Sequence, residues 1–360
     1  MLDKLSVSDA SPITAATSPL ASAPDTAPLV AGAATPSTAP LATGAAASGT
    51  AATLDTLLAI RYPLMQGGMA QIATGRFAAA VSEAGALGII AAGAKSAAQL
   101  REEIQTLRAI TERPFGVNVM LMAPDVTEIA AVLVEERVPV ITTGAGNPAA
   151  YIEAWKNAGC KVIPVVPSVA LAQRMQRFGA DAVIAEGTES GGHVGETTTM
   201  ALVPQVSAAL TIPTVAAGGI ASGRQLCAAF ALGACGAQMG TALLVSEECP
   251  IHENYKTALL KARDTGTTVT GRVTGTPVRL LKNQMAREYL KLEQTGASRD
   301  QFEELALGSL RRAALEGDQQ RGSFMAGQVA GQLTQIEPLA KIFARIMTEY
   351  RQVREGLPTL

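Results

Sequence analysis

Asp181-Ala-Val-Ile-Ala-Glu-Gly-Thr-Glu-Ser-Gly-Gly-His-Val-Gly195 is a short apolar run that passes straight into a glycine-rich loop. Ala182 to Ala185 carry no polar residue, which suits a strand buried on both faces, the habit of a parallel sheet. The loop holds His193, one of two histidines in the chain, behind Gly191 and Gly192 and ahead of Gly195. Glycines let backbone approach a ligand closely. A titratable imidazole at the end of a buried strand is where an enzyme would place an acid or a polarising donor. The competing reading is a flexible turn with a solvated histidine.

The same unit repeats on either side of this stretch. Apolar strand-like runs at 61–66, 87–90, 115–121, 139–143, 161–166, 182–185, 213–217 and 237–240 alternate with helix-period runs. The helical runs fall at 75–85, 96–111, 126–137, 148–158, 169–178, 200–210, 222–232 and 255–263. Ser96 stands where an N-cap belongs, and Pro148 lies near a first helical turn. Eight strand–helix units predict an α/β fold of the TIM (β/α)8 barrel type across residues 53–263. A doubly wound open sheet is the competing architecture. No G-x-G-x-x-G follows the first strand, so the dinucleotide fingerprint is missing.

The flanks differ in character. Residues 1–52 are rich in Ala, Thr, Ser and Pro, and read as a disordered tail unable to offset its ordering entropy by burial. They lack the basic start and compact apolar core of a secretory signal. After the eighth unit, residues 264–277 read as a mobile connection and 278–292 and 299–315 as helices. Residues 322–328 read as a loop and 337–353 as a closing helix. This C-terminal helical extension, within residues 264–360, is long enough to cover the active-site mouth of the barrel.

Composition narrows the function classes. The chain has 360 residues, 48% of them hydrophobic, ample for a barrel-sized core. A net charge of -2 offers no basic field for nucleic acid or an anionic membrane surface. No apolar run reaches the roughly 20 residues of a membrane span. Cys160, Cys227, Cys235 and Cys249 show no metal or redox spacing, and with two distant histidines no zinc site is expected. Reduced thiols in the cytoplasm are the expectation. A homodimer is the default oligomer.

In a barrel the strand C-termini meet on one face, where active sites sit. The unusual residues gather at those ends: Gly67, Gly68 and Met69; Asn118; Gly144 and Gly146; Glu186 to His193; Gly218 and Gly219; Gln238, Gly240 and Thr241. Glycine-rich ends after strands seven and eight are a common barrel phosphate site, built on backbone N–H groups and a helix N-terminus. A cofactor with one phosphate fits such a mouth. FMN fits best, ahead of pyridoxal phosphate, which would need a Schiff-base lysine at a strand end, and ahead of a phosphosugar.

These residues also carry a resemblance. Q-G-G-M-A (66–70), G-V-N-V-M-L (116–121), T-T-G-A-G-N-P (142–148), I-P-V-V-P-S-V-A-L-A (163–172), A-D-A-V-I-A-E-G (180–187), G-G-H-V-G (191–195), A-A-G-G-I-A (216–221) and M-A-G-Q (325–328) look like the FMN-dependent enoyl-[acyl-carrier-protein] reductase II enzymes, the FabK type. The wider family is the nitronate monooxygenase, or 2-nitropropane dioxygenase-like, family. The likeness spans about residues 61–332. The E-x-x-x-x-G-G-H segment is common to both branches, while 116–121 and 142–148 resemble the reductase branch more.

The resemblance implies a relay in which NADH or NADPH reduces FMN and the flavin then reduces a trans-2-enoyl thioester on acyl carrier protein or CoA. His193 matches the active-site histidine, which would hydrogen-bond the thioester carbonyl or help supply the proton. The alternative is oxidation of an alkyl nitronate with O2, with the same histidine as base or electrostatic partner. Matching positions suggest FMN contacts from Gly67, Gly68, Met69, Asn118, Glu186, Gly191, Gly192, Gly218, Gly219, Gln238, Gly240, Thr241 and Gln328. Glu186 could instead hold the loop, since a carboxylate beside a flavin is costly unless hydrogen-bonded. His252 matches a loop histidine with a structural role. Some relatives need a monovalent cation, and no site for one is evident in the sequence. Arg272, Arg279, Lys282 and Arg287 form the one basic stretch beside the expected mouth, and are the expected docking surface for an acidic carrier protein.

Overall fold

The computed structural model describes residues 52–358 of the chain. The expectation for the N-terminal tail therefore lies outside the described residues. Eight parallel strands form the centre: β1 (Leu64–Gln66), β2 (Gly88–Ala91), β3 (Phe115–Met120), β4 (Val140–Gly144), β5 (Lys161–Val166), β6 (Val183–Glu186), β8 (Thr214–Ala217) and β9 (Gly236–Met239). Their order is β1-β9-β8-β6-β5-β4-β3-β2, with parallel pairing at each step.

The ring closes between β2 and β1. Gln66 N donates to Leu87 O at 2.9 Å and Leu87 N to Leu64 O at 3.0 Å. The Gln66 side chain extends this seam, its Oε1 accepting from Ile89 N at 3.3 Å. The predicted TIM barrel is therefore correct, and the open doubly wound sheet is not. Among the described residues, no helix is long and apolar enough to cross a membrane.

Period-2 alternation sorts the strand residues between two cores. Met65, Leu87, Ile89, Val140, Ile163, Ile184 and Val215 fill the barrel. A short helix, Leu54–Leu58, plugs the N-terminal end of the barrel with Leu54 and Leu58, tied by Leu54 N to Cys235 O at 2.8 Å. Outward residues meet the helical ring, where the Trp155 indole is fully buried and donates to Ala130 O. Helix starts follow the sequence: Thr74, Ser96, Ser168, Ser222 and Asn283 each accept a backbone N–H three residues on. All four cysteines are buried and free.

The C-terminal region departs from expectation. Residues 278–292 are not one helix: β11 (Val278–Leu281) precedes a helix at Gln284–Thr295. The expected connection contains β10 (Thr267–Thr270), antiparallel to β11. The two-residue strand β7 (Gly192–His193) pairs with β11 in turn, Val278 opposite His193 and Arg279 opposite Gly192. Tertiary pairing has overridden local helix propensity here. The helix expected at 299–315 stops at Ala306, before the left-handed Gly308. The closing helix, Leu339–Glu355, packs against the helix Gly223–Ala231.

Candidate active site

The strand ends bring the expected residues to one face of the barrel. Gly67, Gly68 and Met69 follow β1, Asn118 lies on β3, Glu186 ends β6, Gly218 and Gly219 follow β8, and Gln238 and Gly240 stand at the end of β9. Thr241 opens a 3-10 turn, Thr241–Leu243. Gly67 N donates to Met239 O at 2.9 Å, joining the first and last of these segments. Gly68 lies against Asn118: a Cβ there would fall 2.3 Å from the carboxamide carbon. Asn118 Oδ1 accepts from Thr142 Oγ1 at 2.9 Å, which fixes the carboxamide orientation and leaves Nδ2 as the donor.

Beyond β8 and β9 the backbone forms a cradle. Gly218 and Gly219 hold consecutive left-handed conformations, φ +90 and +74, which side chains disfavour. Gly240 is different. Its φ is -118, and a Cβ there would meet nothing closer than Met69 Sδ at 3.5 Å. The fold itself does not require glycine at Gly240; a closely approaching ligand would. Among the described residues, the N–H groups of Gly219, Ile220 and Gly240 have no protein acceptor. Uncharged donors around an open recess fit a phosphate monoester of the kind FMN carries.

The loop from Glu186 to Gly195 is strapped at many points. Gly187 N donates to Ala217 O, Thr188 N to Thr197 O, and Val194 N to Pro277 O. The Glu189 carboxylate accepts from Thr199 N at 2.8 and 3.0 Å and from Thr199 Oγ1 at 2.8 Å, a negative charge at a helix N-terminus. Glu189 O accepts from Gln328 N at 2.9 Å, so the tail reaches the loop by its backbone; the Gln328 side chain is exposed. Gly191 and Ala326 sit backbone to backbone, a Cβ on Gly191 falling 2.7 Å from the Ala326 carbonyl carbon. The tail also reaches the cradle: Gly327 N donates to Thr241 Oγ1 at 2.8 Å, and Tyr255 Oη to Met325 O at 2.7 Å.

Two titratable groups face this mouth. Glu186 keeps some contact with solvent, yet protein atoms crowd its carboxyl. Burial pushes its pKa up to about 7, offset in part by the hydrogen bond from Ser190 Oγ at 2.9 Å. His193 is exposed by accessible area, but the surrounding protein still lowers its pKa by desolvation. Its imidazole is therefore neutral at pH 7, with one N–H to give and one lone pair to accept.

Two expectations about neighbouring residues resolve differently. Of the docking surface placed on Arg272, Arg279, Lys282 and Arg287, three residues are exposed and Arg279 is not. Arg279 is 7% exposed and bonded inward, and Arg272 pairs with Glu196 at 2.9 Å. His252, by contrast, caps the helix Glu253–Leu260, its Nδ1 accepting from Asn254 N at 3.1 Å. The sequence reading missed Thr199, and it missed the roles of Ser190, Glu189 and Arg279 in holding the loop. A polar residue four after Glu186 was the one available signal for Ser190; the others depend on tertiary contacts.

The fold is a (β/α)8 barrel, and its similarity to known proteins places it among the flavin-dependent oxidoreductases. The nitronate monooxygenase family model matches residues 51–136 and 126–349, and the chain belongs to that family. It is similar to FabK from Thermotoga maritima, with 50% sequence identity and a TM-score of 0.83 across 85% of this chain and 98% of that one. A nitroalkane oxidase from Streptomyces ansochromogenes is 31% identical, with a TM-score of 0.75 over 84% of this chain and 99% of the other. A curated relative from Mycobacterium tuberculosis, (3aS,4S,5R,7aS)-5-hydroxy-7a-methyl-1-oxo-octahydro-1H-indene-4-carboxyl-CoA dehydrogenase, is 36% identical over 249 residues, 68% of this chain and 69% of that protein.

Proposed function

We propose that the chain reduces trans-2-enoyl thioesters, carried on acyl carrier protein or CoA, to saturated acyl thioesters, using FMN and NADH or NADPH in fatty-acid biosynthesis. The observation that carries this reading is the 50% identity to FabK over 98% of that chain, joined to a mouth that combines an uncharged cradle with a neutral histidine. FMN, when bound, would supply the hydride chemistry, taking a hydride from NADH or NADPH and giving it to the enoyl β-carbon.

The protein's own residues hold, orient and donate hydrogen bonds. The N–H groups of Gly219, Ile220 and Gly240 would take the phosphate without a compensating cation. Asn118 Nδ2, fixed by Thr142, offers a donor beside Gly68. His193 donates its N–H to the thioester carbonyl oxygen, stabilising the charge that develops there as the α-carbon gains density. A neutral imidazole suits this role, since one nitrogen donates a hydrogen bond while the other keeps its lone pair. Glu186, its pKa pushed up to about 7, is protonated roughly half the time at pH 7, so it brings the mouth only part of a negative charge.

An anaerobic titration tests the reading. Bleaching of the yellow protein by NADH or NADPH, then recovery of colour on adding crotonyl-CoA, is the expected result. No recovery with the enoyl thioester, but oxygen uptake on an alkyl nitronate, would replace it with nitronate oxidation.

A further inference from the structure

We propose that Arg279 is a positioning residue for His193, locking the histidine loop from beneath through its backbone; this rests on the reading of His193 as the group that meets the thioester.

Arg279 was expected on the surface and is not there. It is 7% exposed, and its guanidinium bonds two neutral oxygens: Nε donates to Thr188 O at 3.0 Å and Nη1 to Thr267 Oγ1 at 3.1 Å. Among the described residues no carboxylate lies within salt-bridge distance of it, although Glu189 is near enough to be felt as a charge. Burial lowers its pKa, the Arg272 charge adds to that, and Glu189 opposes it. Burying a cation costs desolvation, which two hydrogen bonds to neutral oxygens offset only in part. Stability is therefore a poor reason for an arginine here.

Its contacts suggest a better one. Thr188 O lies on the outgoing limb of the histidine loop and Thr267 on β10. Arg279 itself sits on β11, opposite Gly192 of β7. One planar fork thus spans three chain segments around His193. Side chains alternate across a strand, so Arg279, opposite Gly192, and His193, the next residue of β7, project from opposite faces of the small sheet. The guanidinium acts on the imidazole through the loop it holds and not by touching it. Lysine cannot reproduce the fork, because its single ammonium lacks the planar two-point geometry.

The test uses Arg279→Met and Arg279→Lys in the full-length FMN-loaded protein. The melting temperature of Arg279→Met should stay within about 3 °C of the parent. Flavin content and bleaching by NADH or NADPH should change less than about twofold. Recolouring by crotonyl-CoA should slow by about 10- to 100-fold, the cost of a small misplacement, and appear in kcat more than in KM. Arg279→Lys should recover less than half of that loss on a logarithmic scale. The chain has two histidines, so imidazole NMR supplies a readout independent of turnover. The His193 signals should shift or broaden in Arg279→Met while those of His252 stay fixed.

An unchanged His193 spectrum with unchanged recolouring would overturn the proposal. So would parallel loss of flavin, melting temperature and both half-reactions, which would mark Arg279 as a residue of the fold alone. If the parent protein itself fails to recolour with any enoyl thioester, the substrate reading falls, and the NMR comparison still decides the role of Arg279.

Discussion

Among single residues, Glu186 makes the clearest statement about energy. Its carboxyl binds a proton up to about pH 7 in the native protein, against an ordinary value of 4.5. Between those values the folded chain holds a proton that the unfolded chain has released. Stability then falls as pH rises through this window, and the deficit persists above it. Thermal melts of flavin-free protein from pH 4.5 to 8 should show that fall, and Glu186→Gln should flatten it and melt higher than the parent at pH 8. Parallel curves for the two proteins would place the carboxyl in an ordinary aqueous setting. Ser190 Oγ limits the penalty, because its hydrogen bond favours the charged form.

The decisive elements are those that meet the barrel from the C-terminal side. Gly223 opens the helix that follows the Gly218–Gly219 cradle, and its N donates to Glu349 Oε2 at 2.8 Å on the closing helix. A Cβ at Gly223 would lie 2.2 Å from Tyr350 N and 2.4 Å from Ile346 O. Gly223→Ala should therefore push the two helices apart and cost about 1–3 kcal/mol, the usual penalty of overpacking, read as a lower midpoint in urea. An unchanged midpoint would mean that the closing helix is not held there.

The same elements show where the sequence was readable. Apolar runs such as Val183–Glu186 and Lys161–Val166 announce parallel strands on their own, and Ser96 with Gln99 forms the capping box its spacing suggests. The cradle was legible because Gly218, Gly219 and Gly240 stand at the proper strand ends. The sheet over the mouth was not. Val-Arg-Leu-Leu at 278–281 flows into a strongly amphipathic helix, and four residues carry too little periodicity to separate strand from helix. Gly192 and His193 form a strand solely because β11 is beside them. The burial of Arg279 follows from that pairing, so no local pattern could have withdrawn it from the surface.

For the whole molecule, folding and ligand binding should be linked. A ligand that binds the native state alone adds about 2.7 kcal/mol at one hundred times its Kd. FMN should raise the melting temperature of stripped protein, and riboflavin, which lacks the phosphate, should raise it much less. Gly240→Ala should melt like the parent without ligand, since its Cβ meets ordinary contacts, yet lose most of the FMN shift. Equal shifts with FMN and riboflavin would remove the phosphate from the cradle. Such linkage reaches far, because Gly327 and Gln328 tie the C-terminal segment both to Thr241 and to the histidine loop.

The strand that holds His193 is supplied from far along the chain: Arg279 follows the Thr188 it grips by 91 residues. The barrel strands end at Met239, before β11 begins. A growing chain therefore possesses everything needed to close its barrel while the histidine still lacks its partner strand. At about 5–20 residues per second, that interval lasts seconds on the ribosome. A polypeptide cut short before β11 would inherit the barrel without the strand that pairs with its histidine.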